Sequence, residues 1–524
     1  MRINRAIPAA VASLWGLGLA YMSASSSSVR ISLADLRDKI AGGWAGQMIG
    51  VSFGAPTEFR FRGEIIPEDK LPLWSPERVS NSLNQDDMYV EMTFAKVLDV
   101  KGLDATTEDF GAMFRDSQYA LWHANLAARR ALRRGVPAGL SGTPRYNVHA
   151  NDIDFQIEAD FIGMMTPGLP QAATDMAWRV GRVMNYGDGI YGGIFVSCMY
   201  AAAFFEKDPR RIVQAGLACL PPASPYAKLI SDVLAWSKQT PEDWTAVWRR
   251  VEEKWNRREP CPAGALLPFN IDAKINGAYV AIGLLYGKGD IGQTIRISTR
   301  CGQDSDCNPS TAAGIIGVAL GYQKIPEDWK AGIPAIAAEK FRYTDFSFNT
   351  IVESTLKRAI AMVTRHGGRT EGETLLVRTQ APKPTKLEVW DDYGSPAERI
   401  GVQDPRWSWK GAWRTVPVRG RRSLERRITA DKGAEAAVSF RGTGAIVVGP
   451  LLPSGGRAEV YLDGRLQATV DVYSDEEQPK QDEGLWHIFG LNSAEHTLRI
   501  VVRGEPQPGS KGAEVAIDDL IVFR

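Results

Sequence analysis

The sequence has few cysteines, almost no net charge and, beyond its N-terminal segment, no long hydrophobic run. Its five cysteines are too few for a disulfide-based scaffold, and their spacing matches no zinc motif. A formal net charge of +1 indicates neither a nucleic-acid partner nor attraction to a charged membrane surface. Because a bilayer-spanning helix needs about 20 apolar residues, we predict no membrane span in the mature chain.

The N-terminal segment has the features of a secretory signal peptide. Arg2 and Arg5 precede a largely apolar stretch at 6–21, and small residues follow it. We therefore predict a signal peptide over residues 1–28 and a secreted or periplasmic protein, with a membrane anchor as the alternative. The whole chain, with 44% hydrophobic and 23% charged residues, has a globular composition, and its 524 residues predict two domains.

Two pairs of aspartates lie at the start of predicted helices, far apart in the sequence. Asp86 and Asp87 form the first pair, and Asp304 and Asp306 form the second. Neighbouring carboxylates repel one another, and burying them together is costly unless a cation neutralises them. The usual ion for an all-oxygen site is a hard divalent cation such as Mg²⁺. The alternative is that these aspartates only cap helices and complement helix dipoles.

The pattern of apolar residues differs between the two parts of the chain. The first part has helical periodicity, and Pro309 suits the first position of a helix made almost entirely of small and apolar residues. The last part alternates, with an Asp-Gly turn at Asp463 between two strands. We predict an all-α domain over 29–370, a linker over 371–390 and an all-β sandwich over 391–524.

Three segments of the helical part resemble the ADP-ribosylglycohydrolase family. The glycine-rich stretch 46–58 resembles the family's opening helix, which ends at Pro-x-Glu. Asp86 and Asp87 resemble its Thr-Asp-Asp motif, and residues 302–307 resemble its Gly-x-Asp-Thr-Asp-Thr motif. The resemblance covers most of the helical part and implies an all-α, orthogonal helical fold with a magnesium site.

The resemblance also implies hydrolysis of a glycosidic bond at the anomeric carbon of a ribose-like ring. Glu58 matches the family's early glutamate and is our candidate for assisting the attacking water or the leaving group. Asp304 is a second catalytic candidate. The implied cofactor is one or two Mg²⁺ ions, with Mn²⁺ as an alternative. The predicted metal ligands are Gln85, Asp86, Asp87, Asp304 and Asp306.

Two positions beside the predicted metal ligands are among the departures from the family motifs. Gln85 and Cys307 stand where the family has threonine. A Gln side-chain oxygen can replace a Thr oxygen, whereas a Cys thiol is a poor magnesium ligand. The number of metal ions, one or two, therefore stays open.

The β part resembles the galactose-binding-like jelly rolls that are appended to secreted glycosidases. Trp407, Trp409 and Trp413 at its start either stack on sugar rings or pack internally. We expect a secreted, metal-dependent glycohydrolase that acts on an ADP-ribosyl or related bond. The alternatives are a glycoside hydrolase acting on a carbohydrate and a non-catalytic glycan- or nucleotide-binding protein, so the expected partner is a small molecule or a glycan.

A second acidic segment, 151–161, offers an alternative acid–base pair. If it is helical, Asp154 and Glu158 lie one turn apart on one face, where two carboxyl groups could serve a glycosidase mechanism. The alternative is a solvated helix face. His123 and His149 lie near this segment, and we interpret them as ordinary polar residues rather than as catalysts.

Overall fold

The computed structural model describes residues 27–256, 260–418 and 425–524. Helices dominate the chain up to Arg365, and antiparallel strands dominate it from Pro396 onward. The predicted order, an all-α domain followed by a β-rich region, is confirmed. The predicted signal peptide lies outside the described residues except for its last two positions. In the part of the chain that the structure describes, no helix has both the length and the apolar character needed to cross a membrane.

The helical part consists of long helices joined by short ones and by 3₁₀ turns. In the described ranges the α-helices are α1 (Leu33–Gly54), α2 (Asp86–Lys101), α3 (Thr107–Arg115), α4 (His123–Arg133), α5 (Ala138–Ser141), α6 (Asp154–Ile157), α7 (Asp160–Met164), α8 (Pro170–Gly181), α9 (Asp188–Ala203), α10 (Pro209–Leu217), α11 (Pro225–Gln239), α12 (Trp244–Trp255), α13 (Ala273–Gly287), α14 (Ile291–Arg300), α15 (Cys307–Leu320), α16 (Glu327–Lys330), α17 (Ile333–Ile336) and α18 (Phe348–Arg365).

Within the residues that the structure describes, the strands form one small sheet in the helical part and three sheets after it. They are β1 (Ser28–Ser32), β2 (Arg369–Glu371), β3 (Thr374–Arg378), β4 (Pro396–Gly401), β5 (Trp407–Lys410), β6 (Arg414–Pro417), β7 (Glu425–Thr429), β8 (Glu435–Gly442), β9 (Gly444–Leu451), β10 (Gly456–Leu462), β11 (Arg465–Asp471), β12 (Lys480–Ile488), β13 (Ala494–Pro506), β14 (Val515–Ile517) and β15 (Asp519–Phe523).

Helices α1 and α15 cross in backbone contact at the centre of the helical part. Glycines recur at every fourth position of α1 from residue 42 to residue 54, and a Cβ added to Gly46 would lie 2.2 Å from the Ala313 carbonyl oxygen. A Cβ on Gly317 of α15 would lie 2.0 Å from the Gly42 carbonyl oxygen. The small, apolar helix predicted near Pro309 is indeed central, although it begins two residues earlier, at Cys307. The crossing fixes the end of α1 against the start of α15.

The connection between the two parts is docked onto the helices. Strand β3 pairs with β1 and β2, so the segment predicted as a linker, 371–390, begins inside a three-stranded antiparallel sheet. Residues 379–395 contain no helix or strand. Arg182 forms two hydrogen bonds to Glu388 at 2.8 and 2.7 Å, and Asn151 Nδ2 donates to the Trp390 carbonyl oxygen at 3.2 Å. These contacts hold the connection in one place.

In the described ranges, every pairing between the named strands of the β part is antiparallel. Its sheets have the strand orders β11-β10-β13-β8-β5, β12-β9-β15-β4 and β14-β7-β6. The predicted Asp-Gly turn joins β10 to β11, and both Asp463 and Gly464 have positive φ, of 50° and 77°, as a tight hairpin requires. Trp407 stacks on Trp409 with ring centroids 5.0 Å apart, and Trp413 packs edge-on against Trp409 at the same distance. The three tryptophans therefore pack on one another.

The β part packs against the loops that precede α6 and α13. Val148 and Ala265 share a buried apolar cluster with Ile446 and Phe523 of the β part. Arg129 and Arg130 of α4 also reach across the junction: Arg129 Nη2 lies 3.3 Å from Glu476 Oε1, and Arg130 Nη2 lies 3.0 Å from Asp471 Oδ1. The junction is thus both apolar and ionic, and it brings β12 over the start of α4.

Candidate active site

The structure brings the two aspartate pairs together. Asp86 and Asp87 occupy the first turn of α2, and Asp304 and Asp306 lie directly before α15. These four residues form the aspartate cluster. Asp306 is the residue before α15 but its side chain makes no capping hydrogen bond, so capping does not explain its position. The predicted ligand Gln85 precedes α2, is half-buried and likewise does not cap its helix through its side chain.

The aspartate cluster is electrostatically unfavourable without a counter-charge. Asp87, Asp304 and Asp306 are each 2% exposed. Burial, and then the negative charge of neighbouring carboxyl groups, raises the pKa of all three well above its usual range. Asp87 Oδ1 and Asp304 Oδ1 are buried without a hydrogen-bond partner. Buried oxygens of this kind are costly unless they bind something, and an all-oxygen donor set fits a hard divalent cation.

Cys307 lies inside the aspartate cluster as a hydrogen-bond donor. Its Sγ donates to Asp87 Oδ2 at 3.2 Å. Burial, and then the charges of Asp304 and Asp87, raises the pKa of this thiol well above its usual range. Its sulfur also lies within 4.8 Å of donor atoms of Asp304 and Asp306. A protonated thiol is a poor ligand, but it can donate as a threonine hydroxyl does, which accounts for Cys307 at this position.

Glu58 lies at the edge of the aspartate cluster, where the chain leaves α1. Its neighbours anchor it to the second aspartate segment: Thr57 Oγ1 and Ser305 Oγ are 2.8 Å apart, and Phe59 N donates to the Gln303 carbonyl oxygen at 3.0 Å. The residue as a whole is exposed, yet partial burial of its carboxyl group, and then the charges of Asp306 and Asp86, raises its pKa. Glu58 therefore combines contact with solvent and proximity to the cluster.

Two buried acids that the sequence did not indicate lie beneath the cluster. Asp160 Oδ2 accepts from the Tyr200 hydroxyl at 2.8 Å and from the Gln47 side chain, and burial raises its pKa to about 7. Glu91, one helical turn after Asp87, accepts from Phe161 N at 3.0 Å, and its pKa is raised by burial and then by Asp160. Sequence reasoning did not use the spacing of Glu91 from Asp87, which places both residues on one face of α2.

Asp154 and Glu158, the alternative acid–base pair, make different contacts in the structure. Helix α6 ends at Ile157, so Glu158 lies just beyond it. Asp154 accepts from Asn125 N at 2.9 Å and from Ala124 N at 3.2 Å, and it thereby satisfies the N-terminus of α4. Glu158 accepts from the Asn125 side chain, while its Oε2 is buried without a partner. Burial, and then the charges of Asp154, Asp86 and Asp87, raises the pKa of Glu158. Glu158 therefore lies close enough to the aspartate cluster to feel its charge.

The β part supplies a cation to the same region. Lys480, the first residue of β12, is only 8% exposed and lies 4.0 Å from the centre of the Trp122 ring. Its charge lowers the pKa of Asp86, although burial raises that pKa more. Lys480 also pairs with Glu476 at 2.8 Å. Sequence reasoning missed this residue, because no motif links it to the aspartates.

Comparison with solved structures finds several similar chains. An ADP-ribosylglycohydrolase-related protein complex is 17% identical and covers 63% of this chain and 99% of its own, with a TM-score of 0.39. The CBM36-1 domain of a multidomain xylanase from the hindgut metagenome of Trinervitermes trinervoides is 13% identical, with a TM-score of 0.17, and covers 24% of this chain and 94% of its own. A family 35 carbohydrate binding module from an environmental isolate is 14% identical, with a TM-score of 0.17, and covers 24% of this chain and 90% of its own. No curated protein matches the chain.

A sequence model of the ADP-ribosylglycohydrolase family matches residues 32–367. The match begins at the residue that caps α1 and ends just after α18. It therefore contains the whole helical part, the aspartate cluster and Glu58. The resemblance noted from three short motifs is confirmed over this range, and the chain belongs to the ADP-ribosylglycohydrolase family.

Proposed function

We propose that the protein is a metal-dependent glycohydrolase that cleaves an ADP-ribosyl or related glycosidic bond at the aspartate cluster. The observation that carries this proposal is the pair of buried, unpartnered oxygens, Asp87 Oδ1 and Asp304 Oδ1, in a group of mutually repelling carboxyl groups. Such a group is stable only when a cation or a proton balances it. Family membership supports hydrolysis as the reaction.

The residues that would hold Mg²⁺ or Mn²⁺ are the four aspartates of the cluster, with Gln85 as a further oxygen donor. When bound, the ion supplies a positive charge that orients substrate hydroxyls and water. Cys307 donates to Asp87 Oδ2 and fixes the orientation of that carboxylate. Asp160 and Glu91 lie beneath the cluster, and burial raises the pKa of both carboxyl groups.

We assign proton transfer to Glu58. It is exposed, whereas Asp87, Asp304 and Asp306 are buried. A carboxyl group with a raised pKa holds its proton close to neutral pH, as a general acid or base must. Glu58 is therefore suited to protonate the leaving-group oxygen or to accept a proton from the attacking water. Asp304 serves as a metal ligand together with the other three aspartates of the cluster. Asp154 positions α4 by accepting hydrogen bonds from the backbone of Ala124 and Asn125.

The aromatic residues near the cluster favour a substrate with a planar or cyclic group. Trp122 is 45% exposed and lies against Lys480; Tyr343 is 49% exposed and packs on Tyr89 with centroids 5.3 Å apart. The pKa of Tyr89 is raised by burial and then by Asp86, so this tyrosine adjoins the cluster. Rings of this kind stack on an adenine or on a sugar. A carbohydrate is accordingly the second candidate substrate, and export through the predicted signal peptide favours it.

The test is a hydrolysis assay on the full chain with Mg²⁺ or Mn²⁺ present, offered ADP-ribosylated protein in one arm and oligosaccharides in the other. Glu58→Gln is expected to lower kcat by about 100- to 10,000-fold while metal binding, measured by calorimetry, persists. Asp304→Asn with Asp306→Asn is expected to abolish both. Glu242→Gln, at an exposed position paired with Lys288, is the control and should leave activity unchanged.

Three results would overturn the proposal in different ways. Metal binding that survives in the Asp304→Asn/Asp306→Asn protein would remove the aspartate cluster as the metal site. Turnover of oligosaccharides but not of ADP-ribosylated protein would show that the bond cleaved is a carbohydrate bond and not an ADP-ribosyl bond. Metal binding without turnover of either substrate, and with saturable binding of one of them, would show a non-catalytic binding protein.

A further inference from the structure

A second group of metal-ligating side chains lies where the helical part meets the β part. It consists of His123, His149, Asp152 and Cys261, and we call it the junction cluster. One donor atom from each residue lies within 4.8 Å of the donor atoms of the other three. His149, Asp152 and Cys261 are at most 2% exposed, and the His123 side chain is 21% exposed. Nitrogen, sulfur and one carboxylate oxygen form a borderline-soft donor set, unlike that of the aspartate cluster.

The distances within the junction cluster approach those of a tetrahedral site. Cys261 Sγ is 3.9 Å from His123 Nδ1, and His123 Nδ1 is 3.7 Å from Asp152 Oδ2. His149 Nδ1 is 2.7 Å from the same Asp152 oxygen. Zinc bonds of about 2.0–2.3 Å arranged tetrahedrally place ligand atoms about 3.3–3.8 Å apart. Of these three separations, only that between His149 and Asp152 is shorter than the tetrahedral value and would have to increase for an ion to enter.

Polar atoms of the junction cluster are left unsatisfied in the interior. His149 Nε2 and Asp152 Oδ1 are buried without a hydrogen-bond partner. The nearest acid to His149 Nε2 is Glu483 of β12, whose Oε2 is 3.8 Å away. Histidines that ligate a metal through one ring nitrogen commonly direct the other to a carboxylate. His149 has this arrangement, with Asp152 at Nδ1 and Glu483 facing Nε2.

The backbone around the junction cluster is held rigidly. Asn185 Nδ2 donates to the carbonyl oxygens of Ala150 and Asp152 at 3.0 and 2.9 Å, and it fixes the loop that carries His149 and Asp152. Arg399 of β4 donates to the Ala265 carbonyl oxygen at 2.9 Å and also to that of Pro262, next to Cys261. A site whose ligands are fixed before binding loses little entropy when the ion enters.

The backbone conformation of His123 is a further unusual feature. Its φ is 46°, a left-handed value that costs free energy for a residue other than glycine. His123 is the first residue of α4, and its ring stacks on Phe269 with centroids 5.7 Å apart. The strained conformation directs the imidazole toward Asp152 and Cys261 instead of along the helix.

We propose that the junction cluster binds one Zn²⁺ ion through His123, His149, Asp152 and Cys261, as a structural site that ties the β part to the helical part. Four protein ligands fill a tetrahedral coordination shell, which is the composition of a structural rather than a catalytic zinc site. Glu483 of the β part faces His149 Nε2 at 3.8 Å, and Arg399, also of the β part, donates to the Pro262 carbonyl oxygen in the Cys261 loop. The ion would therefore stabilise the assembled chain.

A thiol nucleophile activated by a histidine is the competing interpretation of Cys261, His123 and Asp152. The structure favours metal binding, because Cys261 is fully buried. Both His123 and His149 also direct Nδ1 to one oxygen of Asp152, whereas a nucleophile needs only one base.

The test is to strip the full chain of metal, titrate it with Zn²⁺ and then with Co²⁺, and record stoichiometry and the electronic spectrum. We expect one tightly bound ion, with a thiolate-to-cobalt charge-transfer band in the near ultraviolet. Cys261→Ser should remove that band and lower Zn²⁺ affinity by more than the about 10- to 100-fold that loss of an outer-shell partner costs. Cys219→Ser, which alters a buried cysteine elsewhere, should retain both, and so should the Asp304→Asn/Asp306→Asn protein.

The Co²⁺ spectrum of the unmodified chain is decisive even if Cys261→Ser fails to fold. Absence of the thiolate band, or fewer than about half an equivalent of tightly bound Zn²⁺, would overturn the proposal. Alkylation of Cys261 by iodoacetamide at the same rate with and without Zn²⁺, together with loss of hydrolysis, would establish the thiol nucleophile instead.

Discussion

The aspartate cluster and the junction cluster are neighbours that are built in opposite ways. Cys307 of the first and Cys261 of the second belong to one buried apolar group with Phe269. The aspartate cluster lies on the ends of long helices and has hard oxygen donors. The junction cluster lies mostly on loops, has nitrogen and sulfur donors, and depends on contacts from the β part. One chain can thus fix two chemically different groups side by side by using helix packing for one and domain docking for the other.

This difference implies that each cluster can be disrupted without the other. The aspartate cluster depends on the α1–α15 crossing, where backbone meets backbone. The junction cluster depends on Arg399, Asn185 and Glu483, which contact the loops that carry its ligands. Variants at the two sets of positions should therefore have separable effects on Mg²⁺ and Zn²⁺ binding.

The largest effect is expected from Gly46→Ala. The added Cβ would lie 2.2 Å from the Ala313 carbonyl oxygen, and backbone cannot yield as a side chain can. We expect a loss of about 3 kcal/mol in the free energy of unfolding, measured by chemical denaturation. Mg²⁺ binding should weaken with it, because Glu58 follows the end of α1 and the second aspartate pair directly precedes α15, while stoichiometric Zn²⁺ binding should persist.

Gly139→Ala is the matched control for this substitution. Gly139 lies in α5 and a Cβ there would meet no atom within 4 Å. The same change should therefore be neutral or stabilise the fold by up to about 1 kcal/mol. Equal destabilisation by both substitutions would show that the close crossing does not support the aspartate cluster.

The aspartate cluster could be predicted because its information is local. Asp304 and Asp306 lie in one short segment, and the family resemblance links that segment to Asp86 and Asp87 through the order of the motifs alone. The order of helical and β parts followed from periodicity, and the Asp463–Gly464 turn followed from the φ values that such a hairpin needs.

The junction cluster could not be predicted because its members share no spacing. Cys261 lies far from His149 in the sequence, and the two meet only because the loop before α13 packs beside the loop before α6, as the bridge between Asp152 and Asp272 shows. His123 and His149 therefore looked like ordinary polar residues. Lys480 and Glu483 could not be predicted as neighbours of the two clusters either, because their positions depend on how the β part docks onto the helical part.

A second prediction concerns pH, to which the aspartate cluster and the two histidines of the junction cluster respond with opposite signs in the metal-free chain. In the folded state, burial and then the charge of Glu58 raise the pKa of Asp304, and burial and then the charge of Asp304 raise the pKa of Asp306. Folding therefore binds protons above about pH 4, and the free energy of unfolding falls as pH rises. Burial lowers the pKa of His123 to about 3 and also lowers that of His149, so their contribution to stability is lost as pH falls below about 6.5.

Above pH 6.5 only the carboxyl effect remains, which makes the two contributions separable. In the presence of a chelator, the free energy of unfolding should fall as pH rises toward the folded-state pKa of these carboxyl groups, by up to about 1.4 kcal/mol per pH unit for each proton that folding binds. The Asp304→Asn/Asp306→Asn protein should show a smaller slope and a higher stability at pH 8.5. A slope that is unchanged in this variant would mean that these two aspartates are not the groups that carry the proton.

The smallest effect is expected from Glu483→Gln, which tests the dependence of the junction cluster on the β part. Glu483 Oε2 faces His149 Nε2 at 3.8 Å, and an amide keeps the size of the side chain but removes its charge. Zn²⁺ affinity should fall about 10-fold, as for the loss of an outer-shell carboxylate, and Mg²⁺ affinity should not change. Glu477→Gln, at an exposed position just before β12, is the matched control. If Glu483→Gln and Glu477→Gln bind Zn²⁺ equally well, Glu483 does not affect the Zn²⁺ affinity of the junction cluster through His149. Arg399 would then be the remaining contact through which domain docking supports this cluster.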